Sequence, residues 1–437
     1  MVSRRDFISK SAILAASIPL LKFNSPLLAA KAEEKLGRVN SMAPEQTASD
    51  EDFWAWVRES FSVTSKIVYL NSGGVSAQPK VVQDAFIRNY QLANEGPSYY
   101  MWRIIDQGRE PLRSQLADMA GVSAEEIAIN RNTTEGLNTI IFGLNLKAGD
   151  EVVLCKYDYP NMMNAWKQRE KRDGIKLVWV DLNLPCENEQ ELITAYKNAI
   201  TEKTKIVHIT HIINWMGQIM PSKAIADIAH AKGCEVIVDG AHSFAHFDYK
   251  IPDTGADYFA TSLHKWLNAP FGSGMMYIKK DKIKNVWALL SAVEPDGGDI
   301  RKFESIGTRN MASEMAIGDA INFHQIIGSQ RKEARLRYLK DYWCNKVKAL
   351  GLSNVKIETS LLPQFSCAIA NFSIDGWKAD AITSKLFEDK KIFATAIVYE
   401  KLNSVRVTPS IYSSISDLDR LVDAIALIAK SPVPEKK

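Results

Sequence analysis

Short apolar runs alternate with helical patterns along the chain from about residue 66 to residue 280. Several runs are continuously apolar, which is typical of parallel strands buried on both faces. The candidate strands are 66–70, 126–130, 151–155, 176–181, 205–212, 235–239, 258–263 and 275–278. The helical patterns between them fall at 79–94, 111–120, 134–144, 161–172, 189–200 and 222–231. This alternation predicts an α/β domain whose mainly parallel sheet is covered by helices.

The pattern changes after residue 280. A long helical stretch at 313–350 is interrupted at Gly318 and Gly328. Strand-like runs and a last helical pattern then follow, at 367–372, 392–398, 404–407 and 416–429. This order predicts a smaller α+β domain. We therefore divide the chain into a large domain at 66–310 and a small domain at 311–437.

Composition limits the class of protein. The 437 residues are 46% hydrophobic and 24% charged, and the formal net charge is +3. A chain of this length can bury a large core and commonly forms two domains. Its charge balance differs from that of nucleic-acid-binding proteins, which carry a basic stripe. We therefore expect a globular enzyme that does not bind nucleic acid.

Residues 1–32 have the pattern of an export signal. Arg4 and Arg5 stand near the start, an apolar run covers 12–21, and small residues cluster at 29–32. This order is typical of a twin-arginine signal, and the apolar run is shorter than the about 20 residues of a membrane span. An amphipathic N-terminal helix is the alternative, but the segment has no amphipathic pattern. We expect the twin-arginine translocation machinery to export the folded protein to the periplasm, which also favours a cofactor enzyme.

The following segment, 33–65, is polar and then rich in tryptophan, at Trp54 and Trp56. We expect it to pack on the small domain or on a partner subunit. The chain also has five cysteines, and no two of them form a Cys-x-x-Cys pair, which disfavours structural zinc. A periplasmic location permits a disulfide, although the sequence leaves its pairing open. Cys155 and Cys234 lie in apolar runs and are expected to be buried free thiols.

An aspartate and a lysine follow neighbouring candidate strands. Asp239 ends the apolar run VIVD, and Lys265 follows the next apolar run after a short turn. Ligands of open α/β sheets bind at the carboxyl ends of the strands. The pair suits pyridoxal 5′-phosphate, because a lysine forms a Schiff base with it and an aspartate pairs with the pyridine nitrogen. A plain surface ion pair is the alternative for these two residues taken alone.

A second motif, NTTE from Asn132, follows the strand candidate 126–130 and opens a helix. Hydroxyl groups and unpaired backbone N–H groups at a helix N-terminus form a phosphate site. An ordinary N-cap with an acidic first turn is the alternative. Ser262 and His264 flank the lysine closely and could donate to the same phosphate.

Four motifs occur in a fixed order: NTTE from Asn132, DGAHS from Asp239, SLHK ending at Lys265, and GTR around Thr308. In this order and spacing they resemble the class V aminotransferase family of fold-type I pyridoxal-phosphate enzymes. That family includes cysteine desulfurases, kynureninase and isopenicillin N epimerase. The resemblance extends from about residue 66 to the C-terminus. It implies a seven-stranded, mainly parallel sheet covered by helices, a smaller α+β domain, and pyridoxal 5′-phosphate as the cofactor.

The resemblance also implies a role for each matching residue. Lys265 would be the Schiff-base lysine and later the proton shuttle, Asp239 would pair with the pyridine nitrogen, and His242 would lie near the phenolic oxygen of the ring. Thr308 would reach the phosphate of a neighbouring subunit, which implies a homodimer with shared active sites. The phosphate ligands within one subunit would be Thr133, Thr134, Ser262 and His264.

Three more residues match family positions. Tyr159 stands where the family stacks a histidine or an aromatic ring on the cofactor, although a tyrosine at a helix start is the alternative. Asn214, in the run NWMG, should lie beside the cofactor. Arg406 matches the arginine that binds the substrate α-carboxylate, and a guanidinium fork suits a planar carboxylate. A solvated surface arginine is the alternative there.

The residues do not select a single reaction. Cysteine desulfurases carry a nucleophilic cysteine on the loop before this arginine, and residues 390–404 contain none. The GTR motif is closer to the epimerase-like branch. We predict an aminotransferase-type reaction at Cα of an amino acid or a peptidyl amino group. Epimerisation or racemisation, as in isopenicillin N epimerase, and a lyase reaction remain as alternatives.

Two hypotheses come from other classes of protein. His242 and His246 have the i, i+4 spacing that presents two metal ligands on a helix, but no third ligand with suitable spacing follows. The second hypothesis is a binding protein that kept the fold without its activity. The presence of both Asp239 and Lys265 argues against it.

Overall fold

The computed structural model describes residues 26–433. Arg4, Arg5 and the apolar run at 12–21, which carry the predicted export signal, lie outside the described residues. Residues 26–32, the end of that predicted signal, belong to the helix Pro26–Asn40. None of the helices within the described range is long and apolar enough to cross a membrane.

Strands and helices alternate through the first two thirds of the described chain. In chain order the strands are β1 (Val68–Tyr69), β2 (Ile127–Asn130), β3 (Glu151–Cys155), β4 (Lys176–Val180), β5 (Thr204–Thr210), β6 (Ile212–Ile213), β7 (Gln218–Ile219), β8 (Glu235–Asp239), β9 (Tyr258–Ser262), β10 (Gly274–Ile278), β11 (Val355–Ile357), β12 (Ala370–Ile374), β13 (Ile392–Phe393), β14 (Thr395–Tyr399) and β15 (Leu402–Val407). The α-helices are Pro26–Asn40, Pro44–Ala48, Glu51–Glu59, Lys80–Glu95, Pro97–Tyr99, Arg109–Ala120, Thr133–Gly143, Pro160–Asp173, Glu189–Ala199, Ser222–Ala231, Met311–Met315, Ile317–Ile327, Ser329–Ala349, Ala379–Lys390 and Ile415–Ala429.

The main sheet has seven strands in the order β2-β10-β9-β8-β5-β3-β4. β9, β8, β5, β3 and β4 pair in parallel, whereas β10 is antiparallel to both β9 and β2. Along β8, Val236 and Val238 belong to one buried apolar cluster and Ile237 to another, because successive side chains point to opposite faces. The sheet is therefore buried on both faces. The prediction of a seven-stranded, mainly parallel sheet covered by helices is confirmed.

The first predicted strand, 66–70, is not part of that sheet. Only Val68–Tyr69 forms a strand, and it pairs in parallel with Ile392–Phe393 of the small domain. An apolar run indicates burial but does not indicate its partner, and this partner lies near the other end of the chain. The predicted strand at 392–398 is split for the same reason, because β13 pairs with β1 and β14 pairs with β15.

The small domain is built on a four-stranded antiparallel sheet in the order β11-β12-β15-β14. The helices Ser329–Ala349 and Ile415–Ala429 pack together beside it and share its apolar core. The predicted strand at 367–372 enters the ladder only at Ala370. Upstream of it, the N–H of Ala368 donates to Nε2 of His246, 2.9 Å away in the large domain.

The long helical stretch after residue 310 breaks at two points. The break at Gly328 occurs as predicted, and this glycine has φ +87°, which glycine adopts without strain. The break predicted at Gly318 is wrong, because Gly318 lies inside the helix Ile317–Ile327. The first break falls instead at Ala316, which ends the short helix Met311–Met315.

Residues 44–59 lie against the small domain. The guanidinium of Arg335, on the helix Ser329–Ala349, pairs with Glu51 and donates to the carbonyl of Ala48. Arg58 pairs with Asp417 at 2.7 Å. These contacts connect the N-terminal segment to the two helices that cover the small sheet.

Candidate active site

Four strands of the main sheet end at one edge. Since β10 is antiparallel to β2 and β9, these two strands run in the same direction as β8 and β5. A cavity of about 390 Å³ opens at their carboxyl ends, within the roughly 300–1,000 Å³ of small-molecule sites. All the predicted site residues except Thr308 line it, namely Thr133, Thr134, Tyr159, Asn214, Asp239, His242, Ser262, His264, Lys265 and Arg406.

Lys265 follows β9 in a turn and lines the cavity. Its Nζ lies 3.0 Å from Nε2 of His242. Burial lowers the pKa of Lys265 to about 8, although the carboxylate of Asp239 acts in the opposite direction. A lysine with this pKa has a substantial neutral fraction near physiological pH. It can therefore act as a nucleophile or as a general base.

Asp239 ends β8 and is only 3% exposed. Its Oδ1 accepts the N–H of Ala241 at 2.9 Å, while burial raises the pKa of the carboxyl group. The next residue is Gly240 because a Cβ there would lie 1.9 Å from the ring of Phe259. A buried carboxylate needs a charged or hydrogen-bonding partner. The alternative of a plain surface ion pair does not fit this burial.

His242 lines the cavity beside Lys265. Its Nε2 contacts Lys265, and its Nδ1 has no hydrogen-bond partner within residues 26–433. Burial lowers the pKa of His242 well below its usual value, and the Lys265 cation adds to this effect. When the ammonium of Lys265 donates to Nε2, the ring proton stands on Nδ1. The Nδ1–H is then a buried donor without an acceptor among the described residues.

The helix Thr133–Gly143 begins at the end of β2 and supplies the anion-binding part of the cavity. Asn132 caps it, since its Oδ1 accepts the N–H of Glu135 at 2.9 Å. The N–H and Oγ1 of Thr133 lie 3.0 and 2.8 Å from Oγ of Ser262. Thr134 lies in the first turn, where backbone N–H groups have no intrahelical acceptor. An ordinary N-cap therefore coexists here with converging hydroxyl groups and the positive end of the helix dipole.

His264 completes this end of the cavity. Its Nδ1 lies 3.1 Å from the carbonyl oxygen of Ser273, so that nitrogen carries the proton and donates it. Burial lowers the pKa of His264 to about 4, and the Lys265 cation adds to the effect. A phosphate group in contact with Nε2 would raise the pKa of His264, because an anion stabilises the imidazolium.

Arg406 stands on β15 of the small domain and forms the opposite wall. It is 7% exposed, which excludes the alternative of a solvated surface arginine. Its two terminal nitrogens donate to the carbonyl oxygen of Asn214 at 2.8 Å and to Oδ1 of Asn71 at 3.0 Å. Its Nε has no partner among the described residues. Burial lowers the pKa of Arg406 to about 10, so the guanidinium is still charged at neutral pH.

Tyr159 lies at the mouth of the cavity and is 41% exposed. It is also the N-cap residue of the helix Pro160–Asp173, without a side-chain cap hydrogen bond, so the helix-start alternative applies as well. The preceding residue, Asp158, was missed by the sequence reasoning. Its carboxylate accepts the N–H of Cys155 at 2.8 Å and the hydroxyl of Thr210 at 2.7 Å, which ties the turn after β3 to β5.

The loop after β1 was also missed. Asn71 orients Arg406, while Gly73 and Gly74 line the cavity. A Cβ on Gly73 would lie 3.1 Å from the methyl carbon of Thr408 and 3.5 Å from the ring of His242. The run Asn-Ser-Gly-Gly directly after an apolar segment was the available signal. The sequence assigned that segment to the wrong sheet, so its loop received no role.

Thr308 is exposed and does not line the cavity of its own chain. It follows Gly307, which has φ +73°. The loop is anchored through Arg309, which donates to the carbonyl of Glu304 at 2.7 Å and pairs with Glu314 at 2.5 Å. The structure therefore presents Thr308 on a fixed loop outside the cavity.

Comparison with known proteins identifies the family. Residues 68–399, more than half of the chain, match the aminotransferase class-V family. The chain belongs to this family. It is 24% identical to isopenicillin N epimerase of Amycolatopsis lactamdurans over 86% of this chain and 99% of that protein. It is 30% identical to a probable cysteine desulfurase of Halalkalibacterium halodurans over 71% of this chain and 78% of that protein.

The fold agrees with that of a solved cysteine desulfurase structure. The structure of an apo cysteine desulfurase from Thermococcus onnurineus NA1 superimposes with a TM-score of 0.76 at 22% identity. The match covers 86% of this chain and 97% of that chain. The chain is thus a class-V enzyme of the fold whose typical cofactor is pyridoxal 5′-phosphate.

The side chains of this class-V enzyme fit that cofactor. Three side chains that line the cavity each have a buried polar atom without a partner among the described residues: Nδ1 of His242, Oδ1 of Asn214 and Nε of Arg406. The hydroxyl groups at the helix Thr133–Gly143 suit a phosphate, and the buried Asp239 suits a pyridinium nitrogen. A ligand with an anionic group at one end and a cationic group at the other would suit both the hydroxyl groups at this helix start and the carboxylate of Asp239.

The cysteines of the class-V chain lie away from this chemistry. All five are buried free thiols, including Cys155 and Cys234, and none lines the cavity. Burial raises the pKa of Cys155 and of Cys367, which opposes formation of a thiolate. The disulfide that an oxidising compartment would permit is not formed.

The metal hypothesis does not fit the geometry of His246. Its Nδ1 donates to the carbonyl of His242 at 2.7 Å, and its Nε2 accepts the N–H of Ala368 at 2.9 Å. Both ring nitrogens are therefore used within the protein. Across residues 26–433 no group of three or more His, Cys, Asp or Glu side chains is arranged to hold a metal ion.

Proposed function

We propose that the chain is a pyridoxal-phosphate-dependent enzyme of aminotransferase type that acts at Cα of an amino acid or of a peptidyl amino group. In this proposal Lys265 holds the cofactor covalently. The observation that carries it is that one cavity is lined by Lys265, by a buried carboxylate, Asp239, and by the start of the helix Thr133–Gly143, which suits an anion. Arg406 faces them from the small domain.

Each group has a separate task. Pyridoxal 5′-phosphate supplies an electron sink that makes the Cα–H bond of a bound amino acid acidic. Asp239 holds a proton on the pyridine nitrogen, since a buried anion favours a cationic neighbour. The hydroxyl groups of Thr133 and Ser262 and the N–H groups beside them bind the phosphate. Nδ1 of His242, which has no partner among the described residues, would donate a hydrogen bond to the cofactor.

Lys265 is the proton carrier in this scheme. Its lowered pKa leaves a substantial neutral fraction of Nζ near physiological pH, and that neutral amine can accept the Cα proton. Arg406 binds the substrate carboxylate and so fixes the orientation of Cα toward Lys265. Its own orientation is fixed by Asn71 and by the carbonyl of Asn214, which reduces the entropy lost on binding.

Epimerisation is the second candidate reaction. It is favoured by the similarity to isopenicillin N epimerase, which extends over 99% of that protein. Return of the proton to Cα from the opposite face would invert the amino acid, whereas release of a keto acid is transamination. Persulfide chemistry is disfavoured because none of the five buried cysteines lines the cavity. A β-elimination would use the same residues.

One experiment separates these reactions. The full chain with pyridoxal 5′-phosphate is incubated in D2O with L-amino acids and small peptides, with and without an α-keto acid acceptor. We expect Cα–H exchange together with release of a new keto acid. Exchange with formation of the D-enantiomer and no keto acid would favour epimerisation instead. Absence of both exchange and product would contradict the whole proposal. Lys265→Ala should abolish every signal, while Lys279→Ala, at an exposed position, is the matched control.

We also propose a homodimer in which Thr308 contributes to the phosphate site of the partner. Its support is that Thr308 lies on an anchored, exposed loop outside its own cavity. Light scattering should give twice the mass of one chain. Mixing Thr308→Val subunits with an excess of Lys265→Ala subunits should give sites that combine Lys265 of one subunit with Thr308 of the other. These sites should bind the cofactor with the wild-type Kd, whereas Thr308→Val alone should show a raised Kd. A fully active monomer would contradict this arrangement.

Export is a separate proposal that rests on the sequence of residues 1–32. Twin-arginine export carries folded proteins, so the cofactor would be inserted before translocation. In a bacterial host the protein should appear in the periplasmic fraction. Replacing both Arg4 and Arg5 by Lys should retain it in the cytoplasm. Equal periplasmic amounts of the two forms would contradict the proposal.

A further inference from the structure

A second buried lysine contacts the turn that carries Lys265, from the side of the small domain. Lys332, on the helix Ser329–Ala349 of the small domain, is 2% exposed. Its ammonium donates to the carbonyl oxygen of Trp266 and to Oδ1 of Asn268, the latter at 3.4 Å. Both acceptors are neutral, and burial lowers the pKa of Lys332 to about 7. The two acceptors are the first and third residues after Lys265.

Trp266, the residue after Lys265, is held in place at both its backbone and its side chain. While Lys332 binds the carbonyl of Trp266, the indole ring stacks on His246 with centroids 3.7 Å apart and planes 8° from parallel. His246 in turn donates to the carbonyl of His242, whose ring contacts Lys265. The turn that carries Lys265 is thus connected to two residues that do not line the cavity, Lys332 and His246.

Asn268 carries the second connection. It has φ +60°, a left-handed conformation that asparagine tolerates better than most residues. Its Nδ2 donates to Oγ of Ser76 at 2.7 Å and to the carbonyl of Ala77 at 3.0 Å. The hydrogen bond from Lys332 to Oδ1 fixes the orientation of this amide, because Oδ1 must face the ammonium. The segment that contains Ser76 also supplies Gly73 and Gly74 to the cavity wall.

We propose that Lys332 is a positioning residue for Lys265. Through Trp266 and Asn268 it fixes the turn that carries the catalytic lysine against the cavity wall. The inference rests on the proposed role of Lys265 and adds a residue that does not itself line the cavity. A merely structural lysine would stabilise the protein without affecting the reactivity of Lys265.

The same helix offers a matched control. Lys340 lies two turns further along and is 1% exposed. It donates to Oγ of Ser366 at 2.8 Å and pairs with the carboxylate of Asp341 at 2.8 Å. Replacing either lysine by methionine removes a buried ammonium at similar side-chain volume. Only Lys332→Met releases the turn after Lys265. Lys340→Met also removes the cation paired with Asp341. Slower attachment in Lys332→Met than in Lys340→Met therefore reports on position rather than on the loss of a buried charge.

The readout is the attachment of the cofactor, which does not require the substrate. Full-length wild type, Lys332→Met and Lys340→Met are stripped of cofactor, and pyridoxal 5′-phosphate is added back. The absorbance band of the lysine adduct gives the rate, and borohydride reduction with peptide mass analysis gives its position. Thermal unfolding of each variant measures the structural effect. We expect Lys332→Met to slow attachment at Lys265 roughly 10- to 100-fold, the scale of a misplaced reacting group. Lys340→Met should stay within about twofold of wild type, because it leaves the turn unchanged.

Should Lys332→Met not fold, Asn268→Gly decides the question, because glycine keeps the positive φ and removes the amide. It should also slow attachment. Attachment at the wild-type rate in a folded Lys332→Met protein, or in Asn268→Gly when that variant decides, overturns the proposal. An equal slowing in Lys332→Met and Lys340→Met overturns it too. A wild-type protein that forms no adduct at Lys265 would instead refute the proposed function, so the two failures are distinguishable.

Discussion

The floor of the cavity (Asp239, Ser262 and Lys265) and its wall (Asn71 and Arg406) are built in different ways. The floor residues stand at or just after the ends of two adjacent parallel strands, so the pairing of β8 with β9 across the connection 240–257 brings them together. Asn71 and Arg406 are 335 positions apart and meet through a 3.0 Å hydrogen bond between the two ends of the chain.

This difference separates two functions. The floor is set by the pairing of β8 with β9 inside a sheet buried on both faces, so its geometry is rigid. The wall depends on the small domain staying in contact with the loop after β1. We expect the floor to control the cofactor and the chemical step, and the wall to control substrate binding. The predictions below test this division.

Asp239→Asn should have the largest effect. The amide oxygen can still accept the N–H of Ala241, so we expect the fold to be retained, but the negative charge that we propose to pair with the pyridine nitrogen is lost. We expect kcat to fall by about 10²–10³-fold, the scale of removing one preorganised electrostatic partner. The adduct with Lys265 should still form. Unchanged kcat in a variant that retains the cofactor would place the electron-sink partner elsewhere.

Arg406→Gln should affect the wall selectively. It removes the charge that we propose to bind the substrate carboxylate, a loss of about 1.5–3 kcal/mol for a charged hydrogen bond. We expect KM for an amino-acid substrate to rise by roughly 10- to 150-fold, with a smaller change in kcat. Arg420→Gln, on an exposed arginine of the small domain, should leave KM unchanged. If KM for Arg406→Gln is also unchanged, the substrate carboxylate binds elsewhere, as a peptidyl substrate would permit.

The pH dependence of cofactor attachment tests the floor in another way. Burial disfavours the ammonium form and lowers the pKa of Lys265 to about 8. Below that pH the amine is protonated and cannot attack a carbonyl, whereas above it the amine is neutral. The attachment rate should therefore rise about tenfold per pH unit up to pH 8 and then level off. A midpoint near the unperturbed value of 10.4 would contradict the effect of burial.

Thr308→Val should have the smallest effect. A hydroxyl that donates one hydrogen bond to a phosphate contributes about 0.5–1.5 kcal/mol, so the cofactor Kd should rise roughly 2- to 12-fold. Thr308→Ser should restore the affinity because it keeps the hydroxyl group. Equal affinity of the Val and Ser variants would remove Thr308 from the phosphate site.

The floor could be read from the sequence because its determinants are local. An apolar strand that ends in Asp239, and another followed by Lys265, predict the carboxyl edge of a parallel sheet. The wall was only partly predictable. Arg406 was found by resemblance, whereas Asn71, Gly73 and Gly74 were missed. Their strand pairs with β13 at the other end of the chain, and periodicity carries no information about such a partner.

The remaining errors have similar causes. Gly318 was read as a helix break, but its helix is held by tertiary packing that outweighs the intrinsic preference of glycine. Asp158 was missed because its role depends on the side chain of Thr210 from another strand. Lys332 lies on a helix whose sequence contains many lysines and arginines, and nothing in that pattern marks it as the lysine that contacts the turn after Lys265.

The central claim is that Lys265 holds pyridoxal 5′-phosphate in this cavity. The most direct test is to reduce the purified holoenzyme with borohydride, digest it, and locate the pyridoxyl group by mass spectrometry. The account predicts one modified peptide, with the added mass on Lys265. A pyridoxyl group on another lysine, or its absence from a protein that still contains the cofactor, would contradict the account.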